Sequence, residues 1–273
     1  MDKPRQPKYL RHDPYAVFRS STTPAGLYAR QKWLGESSSP GWQADFAATV
    51  DRLYRGQSAE GLWRSSEIET IHRLFGMHLT VRNPDPRIDR ALDALLKIAC
   101  RLEPWENTDW VNSGQLSGLP FCEGPRPAVI VPATLFLNAI FNRTAAPEVL
   151  ALYDQAASAI VAGSVDLKMS IHYHNLLRAL VVHPQYSDHT ATRLVVAWLG
   201  NHQTVQGEWG PDIPFYQALN ALAHLDTPAA NAQTQLALTH LRATQNADGS
   251  WGKSEKQWCT FLSLHALRNK GMV

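Results

Sequence analysis

The sequence predicts an all-α protein whose helices pair into hairpins, arranged as an inner and an outer layer. Three observations predict it. A pattern of Gln, three residues, Gly, one residue and Trp occurs at Gln57–Trp63, Gln203–Trp209 and Gln245–Trp251. Segments with one apolar face alternate with segments that are apolar nearly all round, as two helical layers require. No run alternates apolar and polar residues with period two, so strands are not expected.

The pattern is periodic. Gln203 and Gln245 are 42 residues apart, and the 146 residues from Gln57 to Gln203 leave room for three units of similar size. Periods in this range mark repeat arrays. Degenerate copies fall at Leu102–Gly118 (LEPWENTDWVNSGQLSG) and Ala162–Lys168 (AGSVDLK), each between two apolar segments.

One-faced helices are predicted before the corners, at 45–55, 88–102, 147–162, 190–201 and 229–244; Leu92, Leu95, Leu96 and Ile98 show the three- and four-residue spacing. Helices predicted after the corners, at 65–81, 131–142, 169–182, 213–225 and 257–268, include VPATLFLNAIF and IPFYQALNALAHL, which offer water little polar surface. Such helices belong inside. Pro24–Trp33, with a further segment near Tyr15–Ser20, supplies a sixth hairpin. At each corner Gly61, Gly207 or Gly249 can turn left-handed, the Gln amide can satisfy open backbone groups, and the Trp ring can pack across the joint.

These Gln-x-x-x-Gly-x-Trp corners resemble the QW motifs of the terpenoid cyclase and protein prenyltransferase superfamily, over a stretch from about Asp45 to Arg268. The resemblance implies a single (α/α)6 toroid, here spanning 21–273 with residues 1–20 as an extension packed on it, and a lumen that holds a prenyl chain. The family's two aspartate signatures, Asp-x-Asp-Asp and Asp-Asp-x-x-Asp, are absent from this sequence. Comparison with the prenyltransferase β subunit implies a zinc set drawn from Asp212, Cys259 and His172; magnesium is the family's other metal.

Polar residues near the starts of the inner helices are Glu67, Glu69, His72, Thr134, His172, Tyr173, His174, Asp212, Tyr216 and Cys259. Polar groups on buried helices need partners or a ligand. Asp212, His172, His174 and Tyr216 are therefore the candidates for acid–base work, with helix capping the plainer role for Asp212. Arg73 and Arg178 sit among apolar neighbours and need anions, either Glu69 or a ligand phosphate. With Glu69, Tyr173, Phe215 and Trp258 they form the expected substrate-binding set. A position close to a helix start would lower the Cys259 thiol pKa.

The expected function is an isoprenoid-processing enzyme. The alternatives are a carbohydrate-active lyase or hydrolase on the same toroid, and a non-catalytic toroid that binds an apolar ligand or a partner. Lys and Arg total 26 against 24 Asp and Glu, too balanced for a dedicated nucleic-acid binder. Three cysteines do not make a disulfide framework, and no secretory leader is visible, so a cytoplasmic location is expected. Peripheral membrane contact and a partner subunit both remain compatible with these residues.

Overall fold

A computed structural model describes residues 10–102, 109–163 and 170–273, with side chains from His174 onward in the last stretch. Among them are eleven α-helices: α1 (Pro24–Lys32), α2 (Pro40–Tyr54), α3 (Glu67–Leu79), α4 (Pro86–Ala99), α5 (Arg126–Ile140), α6 (Pro147–Val161), α7 (Ser170–Leu180), α8 (Thr190–Asn201), α9 (Phe215–Leu222), α10 (Pro228–Ala243) and α11 (Lys256–Asn269). The odd-numbered helices close a ring, α1 on α3, α3 on α5, α5 on α7, α7 on α9, α9 on α11 and α11 back on α1. The even-numbered helices lie outside it, each packed against at least one helix of the ring. The fold is the expected all-α toroid.

Local chemistry sets the boundaries. Prolines open α1, α2, α4, α6 and α10, where a missing N–H costs nothing. Thr23, Ser39, Ser66, Asp85 and Thr227 cap their helices by accepting backbone N–H bonds. Inner helix α5 is buried at every position from Pro127 to Ala139, as its apolar sequence demands.

The corner motif acts between outer helices. Gln57 Nε2 donates to the Gly61 carbonyl (3.0 Å) and to Arg87 O on α4 (2.8 Å). Gln203 repeats this with Gly207 O (3.1 Å) and Gln233 O on α10 (2.9 Å). The glycines have φ of +96°, +90° and +83°, and each lies against a carbonyl of the next outer unit. At the third corner that unit is the N-terminal segment. Gln245 donates to His12 O (3.1 Å) and accepts from the N–H groups of Arg11 (3.0 Å) and His12 (3.2 Å). Residues 10–20, with a short 3-10 turn at Ala16–Phe18, thus occupy the sixth outer position.

One feature departs from the expected pattern. Between α4 and α5, β1 (Trp110–Val111) pairs antiparallel with β2 (Gly124–Pro125), and a 3-10 turn at Ser113–Leu116 lies between them. Strands of two residues are too short for period two to register. Outside 103–108 and 164–168, which lie beyond the described residues, the two degenerate corners show no Gln–Gly–Trp joint.

Candidate functional site

Segment 110–125 covers the end of the ring at which the inner helices begin. Leu116, Leu119 and Phe121 are buried beneath it. The Asn175 side chain on α7 fastens it, accepting from Cys122 N (2.8 Å) and donating to Cys122 O (2.9 Å) and Ala128 O (3.0 Å). Trp258 Nε1 on α11 donates to Leu119 O (3.1 Å), Gln115 O lies 2.7 Å from His72 Nε2, and the Ser117 hydroxyl bonds Glu255.

Two cavities flank this cover, and Trp258 and Glu255 line both. The larger, about 470 Å³, has an apolar floor of Pro24, Ala25, Phe75, Leu79 and Trp258 beneath polar groups such as Thr23, His72 and Gln257. The smaller, about 270 Å³, is bordered by Glu123, Asp212, Gln217 and Glu255. From Trp258 the aromatic packing runs on along α11 to the end of α1. Trp258 meets Phe75 edge-on (5.9 Å) and stacks on Phe261 (5.4 Å), which in turn touches Trp33 (5.3 Å) and Tyr28 (5.5 Å).

The expected site residues separate into several places. Asp212 is exposed beside the smaller cavity, and the cap position of α9 belongs to Pro214, so Asp212 is not the helix cap. Tyr216 lies near Cys259, and burial, then the Cys259 thiol, push its phenol up to about 12. Burial and the neighbouring Glu255 push the Cys259 thiol up to about 11; the helix start does not prevail, because the thiol is largely out of water and beside a carboxylate. Phe215 packs on Trp209 and on His240 of outer helix α10.

Arg73 and Arg178 do not converge. Arg73 pairs with Glu69 one turn away (2.7 Å) and bonds the Arg52 carbonyl of α2, so it ties α3 to the outer layer. Glu67 is likewise paired, with Arg126 (2.6 Å). Arg178 points into the ring. His174 is fully buried, and burial followed by the charge of Arg178 pushes its pKa down to about 3, against the opposing pull of the Pro120 carbonyl. His172 and Tyr173 lie on α7, with side chains outside those described. Among the described residues no three His, Cys, Asp or Glu side chains group as a metal site requires, and the His172 member of the zinc set is among those not described.

Several interior groups escaped the sequence reading. His78 near the end of α3, Asn220 on α9, His224 just beyond it and His265 on α11 surround Arg178. The signal was present: each is a polar interruption in an otherwise apolar inner segment.

Comparison with known proteins yields structural neighbours alone. No family model and no curated protein sequence matches this chain. Among solved structures, a protein from Actinoplanes is similar over 95% of this chain and 90% of its own, at 14% identity and a TM-score of 0.55. A type II terpene cyclase from Scytonema, solved in complex with geranylgeranyl dihydroxybenzoate, is similar over 96% of this chain and 88% of its own, at 13% identity and a TM-score of 0.53. The chain thus has a terpene cyclase-like fold. Among the described residues no helix is long and apolar enough to cross a membrane.

Proposed function

We propose that this toroid binds an isoprenoid chain and processes it. The observation that carries the reading is the 470 Å³ cavity lined by Phe75 and Trp258, backed by the packed rings of Phe261, Trp33 and Tyr28. Concave sites of this size with apolar walls and a few polar groups suit small hydrophobic ligands. Burying a prenyl chain there stabilises the complex by roughly 25 cal/mol for each Å² removed from water. The Scytonema cyclase, which shares the fold and holds a prenylated ligand, supports an apolar occupant.

The chemistry we infer is not cyclisation begun by a buried acid. Among the described residues no Asp or Glu is buried, so no carboxyl group is placed to stay protonated in an apolar site. A carbocation near Phe136 would also meet the guanidinium of Arg178, which already lies 4.9 Å from that ring's centroid. Processing is better served at the mouth, beside Tyr216, Cys259 and Asp212. The lack of a buried acid among the described residues favours, as a second reading, a toroid that binds the same ligand without transforming it.

Thermal unfolding of the purified protein with prenyl alcohols and diphosphates of increasing length, alongside product analysis, tests this. A midpoint that rises with chain length, and falls back in Trp258→Ala, is the expected result. Binding without product selects the second reading. Folded protein that responds to no prenyl compound refutes both.

A further inference from the structure

The far end of the ring, where the inner helices finish, holds a buried cation that the mouth chemistry does not use. Arg178 Nη1 donates to Asn220 Oδ1 on α9 (2.5 Å), and the guanidinium lies over Phe136 of α5. Its Nε is buried without a hydrogen-bond partner, and among the described residues no carboxylate pairs with it. Burial alone lowers its pKa to about 9.

Other open polar atoms gather round it. His78 Nδ1 and His224 Nε2 are buried without partners, and His174, one turn before Arg178 on α7, is fully buried with the Pro120 carbonyl beside it. His265 Nδ1 lies 3.3 Å from the amide of Asn220. Further out, Arg82, Arg268 and Lys270 act on the same histidines, and each is held by neutral groups: Gln31 and the Tyr28 ring, Tyr15 and the Trp33 ring, and Leu225 O with Asn231. Cations at helix C-termini offset the helix dipoles, which accounts for these three. It does not account for a guanidinium taken out of water with no anion and an unused N–H.

We propose that this end of the lumen is an anion pocket for the head of the apolar ligand, and that the head is a singly charged oxyanion of the carboxylate class. The tail assignment rests on the isoprenoid reading; the head assignment does not. Charge balance decides against a diphosphate. The centre offers one buried cation, Arg178, whereas Arg82 and Lys270 are half-buried and Arg268 is exposed. One carboxylate cancels that charge, whereas a diphosphate would leave further negative charge uncompensated in a low-dielectric interior. The Nε edge of the guanidinium and the unpartnered ring nitrogens of His78 and His224 are the groups that would meet it, and a planar carboxylate matches the guanidinium fork.

The test is calorimetric titration and thermal unfolding of the full chain with farnesoate, farnesol, farnesyl diphosphate and dodecanoate, in wild type and Arg178→Met. Farnesoate should bind on the order of 30-fold or more tightly than farnesol, the usual consequence of pairing a buried charge. Arg178→Met should abolish that preference and leave the unliganded midpoint equal or higher, because an uncompensated buried charge has been removed. Diphosphate binding tighter than farnesoate, or a farnesoate preference that survives in Arg178→Met, overturns the proposal. Should the variant not fold, carbon-13 NMR of carboxyl-labelled farnesoate on the wild type decides: a carboxyl pKa depressed on binding supports the pocket, and an unchanged or raised one overturns it. Equal binding of farnesol and farnesoate keeps the isoprenoid reading and overturns the anion pocket. Arg178-dependent binding of dodecanoate as tight as farnesoate keeps the pocket and removes the isoprenoid reading.

Discussion

Lowering the pH from about 7.5 to about 4.5 drives protons toward histidines that the folded interior keeps neutral. His78 is pushed down from 6.5 to about 4 by burial first, then by the charges of Arg82, Arg178 and His265. His265 reaches about 4 through burial, Arg178 and Arg268. In the unfolded chain both titrate near their ordinary value, so across this range the unfolded state binds more protons and stability falls as pH falls. Their full contribution is present above about 6.5 and drains away toward about 4. At the acid end each histidine accounts for about 3 kcal/mol, since one pKa unit corresponds to about 1.4 kcal/mol. His224 and His174, depressed by burial and by Arg178, act in the same direction. Losses of this size rival the whole stability of an ordinary domain, about 5–15 kcal/mol. Urea unfolding followed by tryptophan fluorescence at a series of pH values gives the free energy directly. The slope against pH should correspond to at least two protons taken up on unfolding near pH 5.5, and His78→Phe should remove about one of them. A stability that stays flat between about pH 7.5 and pH 5 would refute the reasoning.

Two further predictions probe the corners. Gly207→Ala should destabilise by at least about 3 kcal/mol, because φ is +90° and the new Cβ would lie 2.1 Å from Leu236 O. Gly210→Ala is the control: nothing lies within 4 Å of its Cβ, and its unfolding midpoint should barely move. Gln245→Ala removes four hydrogen bonds, to Arg11 N, His12 N, His12 O and Gly249 O, at a cost of roughly 2–4 kcal/mol. Hydrogen exchange should then show residues 10–14 losing protection before the rest of the chain; uniform loss would mean that this segment does not close the ring.

The toroid was legible in the sequence because its joints tolerate few substitutes. A corner glycine at positive φ against a neighbour's carbonyl excludes any Cβ, and the buried Trp251 indole donates to Leu241 O (2.7 Å) as Trp209 donates to Leu199 O (3.2 Å). Gln, Gly and Trp therefore recur at fixed spacing. The cover over the mouth was not legible. Residues 109–125 are fastened by contacts far away in sequence, from Asn175 and Trp258, and no local pattern announces such pairs. Asp212 looked like a cap because it precedes an apolar helix, yet the helix begins at Phe215 and leaves the carboxylate outside. The polar interior was half legible: Arg178 stood out among its apolar neighbours, while His78, Asn220 and His265 each pass for an ordinary polar residue until the ring brings them together.

That ring also distributes charge unevenly along its axis. The ends of the inner helices carry Arg82, Arg178, Arg268 and Lys270, whereas the starts carry both signs, Glu67, Glu69, Asp212, Glu123 and Glu255 beside Arg126 and Lys256. Helix dipoles place partial negative charge at the ends, so the cations there oppose the local dipole. At the mouth the π faces of Trp258 and Phe75 suit an apolar or electron-poor group. At the far end the opposite holds, because Arg178 carries its charge where water cannot screen it. An amphiphile lying along the axis would therefore gain most with its anionic end inward and its reactive carbon toward Tyr216 and Cys259. Reversed, it would leave Arg178 uncompensated, so under the proposed reading that one buried charge would set the ligand's direction.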